Sequence, residues 1–333
     1  MRWSPDFRRP VALVVAGTLF SALPGTASAE EAHPPGAAGQ GLLAATGIVH
    51  GTAQGALVLL AGLAAFAAVV WLPVSRSSGT RPDAGRYFTR GMWALFGVLL
   101  FAGLADLSLY AVRVSGEPFG FALFREALFE TRSGLLWLVR IGLGFAVAVV
   151  ISRAAREGRP AYWWTATGLG LVLLATLTLQ SHAAAVGGAL PLLSNWLHVV
   201  AAAFWMGGLV GFPLLLLGPL RKASDGGRTL LRRMAVRRFS VVATVAVMVI
   251  VVTGIHATLL NVPNAAALVG TSYGRALIMK LGLFVLLLAA GGINFVDRGR
   301  GLFGRMVGAE LVLAVGIFLA AGFLTSLPPA GAP

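Results

Sequence analysis

Residues 193–217 have the sequence LSNWLHVVAAAFWMGGLVGFPLLLL, which holds no charged side chain. At about 1.5 Å per residue this segment forms a helix of about 37 Å, longer than the hydrocarbon core of a bilayer at about 30 Å. One histidine, His198, stands close to its start. The segment therefore predicts a helix that crosses a membrane and carries an imidazole near one end.

Similar apolar segments recur along the rest of the chain, which is 57% hydrophobic and only 11% charged. A soluble domain of this length does not need so much apolar surface, so the composition favours a membrane protein. We predict an all-α polytopic membrane protein with eight transmembrane helices. The other seven predicted spans are 44–72, 91–112, 133–151, 162–181, 239–260, 273–295 and 306–326.

Lysine and arginine lie mostly in alternate loops. The loops after the first, third, fifth and seventh spans hold seventeen of them, against four in the loops and helix ends on the other side. Cytoplasmic loops carry an excess of Lys and Arg, so this pattern predicts that both mature termini lie outside the cytoplasm. The placement of these cations in the cytoplasmic loops also accounts for the net charge of +14. It predicts the lipid bilayer as a partner and no nucleic-acid partner.

The first residues have the pattern of a secretory signal. Three arginines precede a short apolar run at 11–23, and the small residues ASA follow at 27–29. This order predicts a signal peptide over 1–29 and a short periplasmic segment over 30–43. The alternative is an uncleaved membrane anchor.

Two spans open with similar sequences. TRSGLLWLVRIGLG at 131–144 and TSYGRALIMKLGLF at 271–284 share a threonine, a glycine, a cation and a Gly-Leu pair at the same spacing. This similarity predicts a 4+4 parallel repeat about an axis along the membrane normal. The halves are predicted at 44–181 and 182–333.

Four histidines lie near the outer ends of the spans: His50, His182, His198 and His256. Ionisable side chains in a membrane are costly and mark sites or pathways, and imidazole binds copper, zinc and iron. We therefore predict that these four histidines approach one another and bind a metal ion. The alternative for each is an interhelical hydrogen bond, for which Gln54 and Asn195 are polar neighbours of His50 and His198.

Three charged residues are predicted at a similar depth. Asp106 lies in the second span, Arg140 in the third and Lys280 in the seventh. Because a bare charge in hydrocarbon is expensive, we expect Asp106 to pair with Arg140 or Lys280 in a buried charge network. Glu310, near the inner end of the eighth span, is expected to pair with a cytoplasmic arginine such as Arg305.

The chain has no cysteine, which excludes thiolate metal sites and cysteine nucleophiles. Methionine sulfur is the soft ligand that remains for a Cu(I) ion inside the membrane. Met206, Met248 and Met279 therefore form a candidate path, with ordinary packing as the alternative for each.

Several segments resemble the copper resistance protein D (CopD) family of bacterial inner-membrane proteins. They are SHAAA at 181–185, LHVVAAAFWMGGLVGF at 197–212, RRFS at 237–240, TGIHATL at 253–259, TSYGRALIMKLGLF at 271–284 and AELVLAVGIFLAAGFLTSLPPA at 309–330. The first half is similar mainly through its hydropathy and ETRSGLLWLVR at 130–140. The resemblance implies that the histidines receive copper as the cargo, and that a periplasmic carrier of the CopC type is a partner. Since few residues precede the first span, that carrier is expected to be a separate chain.

The predicted function is that of an inner-membrane copper transport protein, not an enzyme, which imports copper from periplasm to cytoplasm. Two alternatives stay open. One is a haem-binding membrane redox protein that uses a histidine pair such as His198 and His256. The other is a copper-binding accessory factor for metalloenzyme assembly.

Overall fold

A computed structural model describes residues 37–77, 84–222, 224–296 and 303–330 of the chain. The predicted signal peptide and residues 30–36 lie outside these ranges. Within them the regular elements are helices. They are α1 (Ala37–Phe66), a π-helical turn (Ala67–Trp71), α2 (Leu72–Ser77), α3 (Gly85–Ser115), α4 (Phe121–Glu130), α5 (Arg132–Glu157), α6 (Pro160–Thr178), α7 (His182–Val186), α8 (Ala189–Leu217), α9 (Pro219–Lys222), α10 (Asp225–Asn261), α11 (Ala265–Gly270), α12 (Ser272–Val296) and α13 (Phe303–Ser326).

Eight of the described helical segments are long and apolar enough to cross a membrane. Numbered as spans 1 to 8, they are Gly41–Ser77, Gly85–Ser115, Arg132–Glu157, Pro160–Thr178, Ala189–Leu217, Gly226–Asn261, Ser272–Gly292 and Gly308–Ser326. The prediction of an all-α polytopic membrane protein with eight spans is confirmed.

Span 6 starts well before the predicted boundary at residue 239. Its helix begins at Asp225, after Ser224, whose hydroxyl accepts a hydrogen bond from the Gly227 amide at 3.4 Å. The extension is rich in arginine, which is a good helix former but is expelled from hydrocarbon. Hydropathy therefore identifies only the apolar part of a longer helix, and these arginines lie on a helix rather than in a loop.

Span 1 lies at the centre of the bundle and packs against spans 2, 4, 5 and 8. It meets span 5 at Gly62 and Gly207, where a Cβ atom on either residue would collide with backbone atoms of the other helix. Gly51 and Gly322 make the same kind of approach between spans 1 and 8. Small residues allow helix backbones in membranes to pack this closely. The two crossings fix the position of span 1, which carries His50.

The N-termini of spans 3 and 7 have the same local structure. The hydroxyl of Thr131 accepts from the Gly134 amide at 3.1 Å, and that of Thr271 accepts from the Gly274 amide at 3.0 Å. Each threonine also donates to the carbonyl four residues earlier, at the end of a short preceding helix. The matching sequences thus fold alike, while the 4+4 repeat of the whole chain stays a prediction.

Candidate functional site

His50 of span 1 is held between two polar partners. Its Nδ1 lies 2.8 Å from Oδ2 of Asp106 on span 2, and its Nε2 lies 2.8 Å from Nε2 of Gln54, one turn along span 1. Because the Gln54 amide nitrogen is a donor, Nε2 accepts, and Nδ1 carries the proton that it donates to Asp106. Gln54 also donates to Oγ1 of Thr325 on span 8 at 3.5 Å. Both ring nitrogens of His50 are engaged, so a metal ion reaches Nε2 only by displacing Gln54.

Asp106 pairs directly with His50, and the charge network of Asp106 with Arg140 and Lys280 stays a prediction. Among the described residues, neither cation forms an ion pair with this carboxylate at 4 Å or less. Arg140 instead donates to the hydroxyl and the carbonyl of Thr176 at 3.0 and 2.8 Å. Thr176 lies in the last turn of span 4, where carbonyl groups lack helical partners and a buried guanidinium can find acceptors. Asp106 still acts on Arg140 electrostatically without a direct bond.

Spans 5 and 6 exchange two hydrogen bonds that each involve a histidine. Nδ1 of His198 lies 2.9 Å from the Thr253 hydroxyl, and Nδ1 of His256 lies 2.9 Å from the Ser194 hydroxyl. The two bonds are one helical turn apart on each helix, or about 5 Å along the helix axes, so both histidines lie in the same interface. The Thr253 hydroxyl donates to the Val249 carbonyl at 2.6 Å and so accepts from His198. Nε2 of His198 therefore keeps the lone pair that a metal ion needs.

Lys280 of span 7 lies close enough to His198 for its charge to act on the imidazole. Asn195, the predicted polar neighbour of His198, donates instead to the Thr178 hydroxyl at 3.4 Å and ties span 5 to span 4. The polar surroundings of His198 thus come from spans 6 and 7.

His182 begins the short helix α7, outside the spans. Its ring packs edge-on against Tyr273 of span 7, with 6.1 Å between the ring centroids. Burial lowers the pKa of His182 below its usual 6.5, and a hydrogen bond to the Leu324 carbonyl partly opposes this. Nε2 is buried and has no hydrogen-bond partner among the described residues. The bond to Leu324 therefore uses Nδ1, and Nε2 presents a free lone pair.

The four histidines lie near one end of the bundle but in separate contacts. His182 meets Leu324, and Gln54, the partner of His50, meets the adjacent Thr325, so both histidines adjoin the same turn of span 8. Within the described ranges no group of three or more His, Asp or Glu residues is arranged to hold a metal ion. The shared four-histidine site is thus not assembled in this arrangement and stays a prediction.

The three methionines of the predicted path have different surroundings. Met206 of span 5 is buried in a core cluster that also includes residues of spans 1, 4, 6, 7 and 8. Met248 of span 6 and Met279 of span 7 are mostly exposed on the outside of the bundle. Met248 also lines a cavity between spans 6 and 7, which Met279 does not.

Sequence reasoning missed the two hydroxyl groups that hold His198 and His256. A spacing signal was present, since Ser194 precedes His198 by four residues and Thr253 precedes His256 by three. Residues three or four apart share one face of a helix. Two helices that each carry a hydroxyl one turn from a histidine can therefore pair reciprocally, as spans 5 and 6 do.

Helical spans with histidines near one end define a polytopic membrane protein with a candidate metal-entry region. Two family models match this chain: "Copper resistance protein D-like, N-terminal domain" over residues 43–192 and "Copper resistance protein D" over residues 233–324. The chain belongs to the copper resistance protein D family.

Two curated relatives have copper in their names. The chain is 30% identical to the "Copper transport protein CutJ" of Bacillus subtilis (strain 168), over 84% of this chain and 53% of that protein. It is 28% identical to the "Copper resistance protein D" of Pseudomonas syringae pv. tomato, over 72% of this chain and 77% of that protein. The chain thus spans about half the length of the first relative. No solved structure matches the chain.

Proposed function

We propose that this chain imports copper across the bacterial inner membrane and receives it at the histidine end of the bundle. The observation that carries the proposal is the buried Nε2 of His182, a ligand atom without a hydrogen-bond partner among the described residues. His198 offers a second lone pair, and His256 lies one turn away on the same interface. His50 can add a further nitrogen ligand when the hydrogen bond between its Nε2 and Gln54 breaks.

The entry side follows from charge. The arginines of the span 6 extension lie at the end of the bundle opposite to the histidines, and cytoplasmic segments of membrane proteins are rich in such cations. The histidine end therefore faces the periplasm, where a carrier of the CopC type delivers copper. The relative named a copper transport protein supports movement of the ion as well as binding.

Copper binding and uptake by the same purified protein test the proposal. The double variant His182→Ala/His198→Ala should lose most bound copper and most uptake into vesicles of known orientation. Tyr273→Phe is the matched control, because it keeps the ring on which His182 packs. Binding and uptake by the double variant equal to the wild type would refute the histidine entry site.

The same samples separate the alternative functions. A Soret band in the absorbance spectrum of the purified protein would identify a haem protein. Copper binding without uptake would identify an accessory factor for metalloenzyme assembly. Uptake only into vesicles that expose the arginine-rich end would reverse the proposed direction.

A further inference from the structure

A cavity of about 290 Å³ lies at the arginine-rich end of the bundle, between the end of span 1 and the start of the apolar part of span 6. Span 1 lines it with Pro73, Val74 and Ser77. It is far from the histidines, since Pro73 lies twenty-three residues from His50, or about 35 Å along the helix. Span 6 lines the cavity with four residues that share one face of the helix: Met234, Arg237, Arg238 and Val241.

Arg238 is held in place by the backbone of span 1. Pro73 has no amide hydrogen, so it cannot bond to the carbonyl four residues earlier, which is that of Val69. Nε of Arg238 donates to this carbonyl at 2.8 Å. Span 1 takes its π-helical turn at the same place, over Ala67–Trp71. One edge of the guanidinium is therefore fixed, while its two terminal nitrogens make no hydrogen bond to the described residues.

The positive charge of the cavity has no counter-ion within the described part of the chain. Arg237 makes neither a hydrogen bond nor an ion pair there, and Arg238 makes only the bond to Val69. None of the described lining residues is acidic. A guanidinium group presents its donors in a planar fork that matches the oxygens of a phosphate. The two arginines therefore offer a site for a phosphate group.

The apolar surroundings indicate that this phosphate belongs to a lipid. From the cavity into the membrane, span 6 carries exposed apolar side chains at intervals of four, three and four residues: Val241, Val245, Met248 and Val252. These side chains form a stripe that faces lipid and begins in the cavity lining at Val241. The cavity is about as small as the smallest ligand pockets, which suits a headgroup rather than a whole lipid. A headgroup held there places its acyl chains along the stripe.

We propose that this cavity binds the phosphate headgroup of an anionic phospholipid, with Arg237 and Arg238 as the donors. Basic pockets between membrane helices bind such headgroups on the cytoplasmic side, which is the side that we assign to this end of the bundle. The bound lipid bridges spans 1 and 6 beside the π-helical turn, where the regular hydrogen bonding of span 1 is interrupted. This site goes beyond copper import and does not depend on it.

Native mass spectrometry of the full chain in detergent tests the proposal, with phosphatidylglycerol as the probe. Phosphatidylethanolamine, whose headgroup carries no net charge, is the comparison, and the wild type should retain phosphatidylglycerol in preference. Arg237→Gln/Arg238→Gln should weaken this binding about tenfold or more, since each cation beside an anionic headgroup accounts for a factor of about five. Arg153→Gln/Arg156→Gln is the matched control, because it removes the same charge from exposed residues near the end of span 3 that do not line the cavity.

A second variant keeps both arginines, in case Arg238→Gln loosens the link to Val69. Ser77 is exposed and lines the cavity, so Ser77→Glu should fold and add a carboxylate to the lining. The carboxylate should compete with phosphate for the guanidinium groups and weaken the binding of phosphatidylglycerol. A Tm in detergent equal to that of the wild type verifies that the variant is folded.

Four outcomes would overturn the inference. Equal retention of the two lipids by the wild type would show that the cavity does not recognise the charge. Unchanged binding by the Arg237→Gln/Arg238→Gln and Ser77→Glu variants would place the lipid elsewhere. Equal losses in the two double variants would assign the binding to general attraction by the arginine-rich end. Displacement of phosphatidylglycerol by an equal concentration of inorganic phosphate would identify a soluble anion as the ligand.

Discussion

Copper binding should resist mild acid, because His182 is buried. Burial lowers the pKa of this imidazole below 6.5, and the hydrogen bond to Leu324 opposes the shift only in part. A protonated nitrogen has no lone pair for a metal ion, so protons compete with copper only below the lowered pKa. His182 therefore stays neutral, and able to bind copper, when the pH is near 6.5. It becomes protonated and stops binding only as the pH falls further. Below the lowered pKa, each pH unit weakens binding about tenfold for each imidazole that must lose a proton, or about 1.36 kcal/mol.

Competition with a chromophoric Cu(I) chelator, from about pH 8 to about pH 5, measures this dependence across the range where imidazole titrates. In the wild type the affinity should stay level through about pH 6.5 and then fall. His182→Gln keeps an amide donor for the Leu324 carbonyl but has no imidazole, so it should bind weakly at neutral pH and show a shallower decline. Tyr273→Phe should follow the wild type. A wild-type midpoint at or above about 6.5 would refute the argument from burial, and an unchanged His182→Gln curve would refute ligation by His182.

Two further predictions concern the framework that carries the histidines. Asp106→Leu leaves Nδ1 of His50 without its acceptor and should destabilise the protein by about 1 kcal/mol, seen as a lower Tm in detergent, whereas Asp106→Asn keeps an acceptor oxygen and should lose less. An unchanged Tm for Asp106→Leu would mean that water replaces the carboxylate. Gly207→Ala forces spans 1 and 5 apart and should cost about 1–3 kcal/mol, while Gly97→Ala, where a Cβ meets nothing within 4 Å, should be neutral. Equal Tm losses in the two alanine variants would contradict the close crossing of these spans.

The spans could be predicted from the sequence because a bilayer imposes a simple requirement. A backbone in hydrocarbon must satisfy its own hydrogen bonds, so long apolar runs form helices whatever their neighbours. Helix caps are also local, and the Thr131 and Thr271 pattern folds the same way at both places. The length of span 6 was missed for the opposite reason, since its polar extension is helical without being apolar.

The partners of the polar side chains could not be predicted to the same degree. In a soluble helix the apolar face shows which side turns inward, but in these spans the lipid-facing and buried sides are both apolar. Rotation of each helix about its axis is then set by packing, at points such as the Gly62 and Gly207 crossing. From its depth in the membrane, Asp106 was predicted to pair with Arg140 or Lys280. The rotation of spans 1 and 2 about their axes instead places it beside His50. Gln54 was predictable as a partner because it shares a helix with His50, so no rotation between helices was involved.

The two halves differ where copper would need to pass. Between spans 2 and 3, Trp93, Phe96 and Phe145 make mutual edge-on contacts with centroids 5.6–5.9 Å apart. The predicted repeat pairs this interface with that of spans 6 and 7, which instead holds the cavity beside Glu310. In the first half His50 has both nitrogens engaged, whereas His198 retains a lone pair, and so does His182, which packs on span 7. Free imidazole nitrogens and open space therefore both lie along spans 5 to 8. We therefore propose that the first half supports the bundle and that copper, if the chain transports it, passes through the second half.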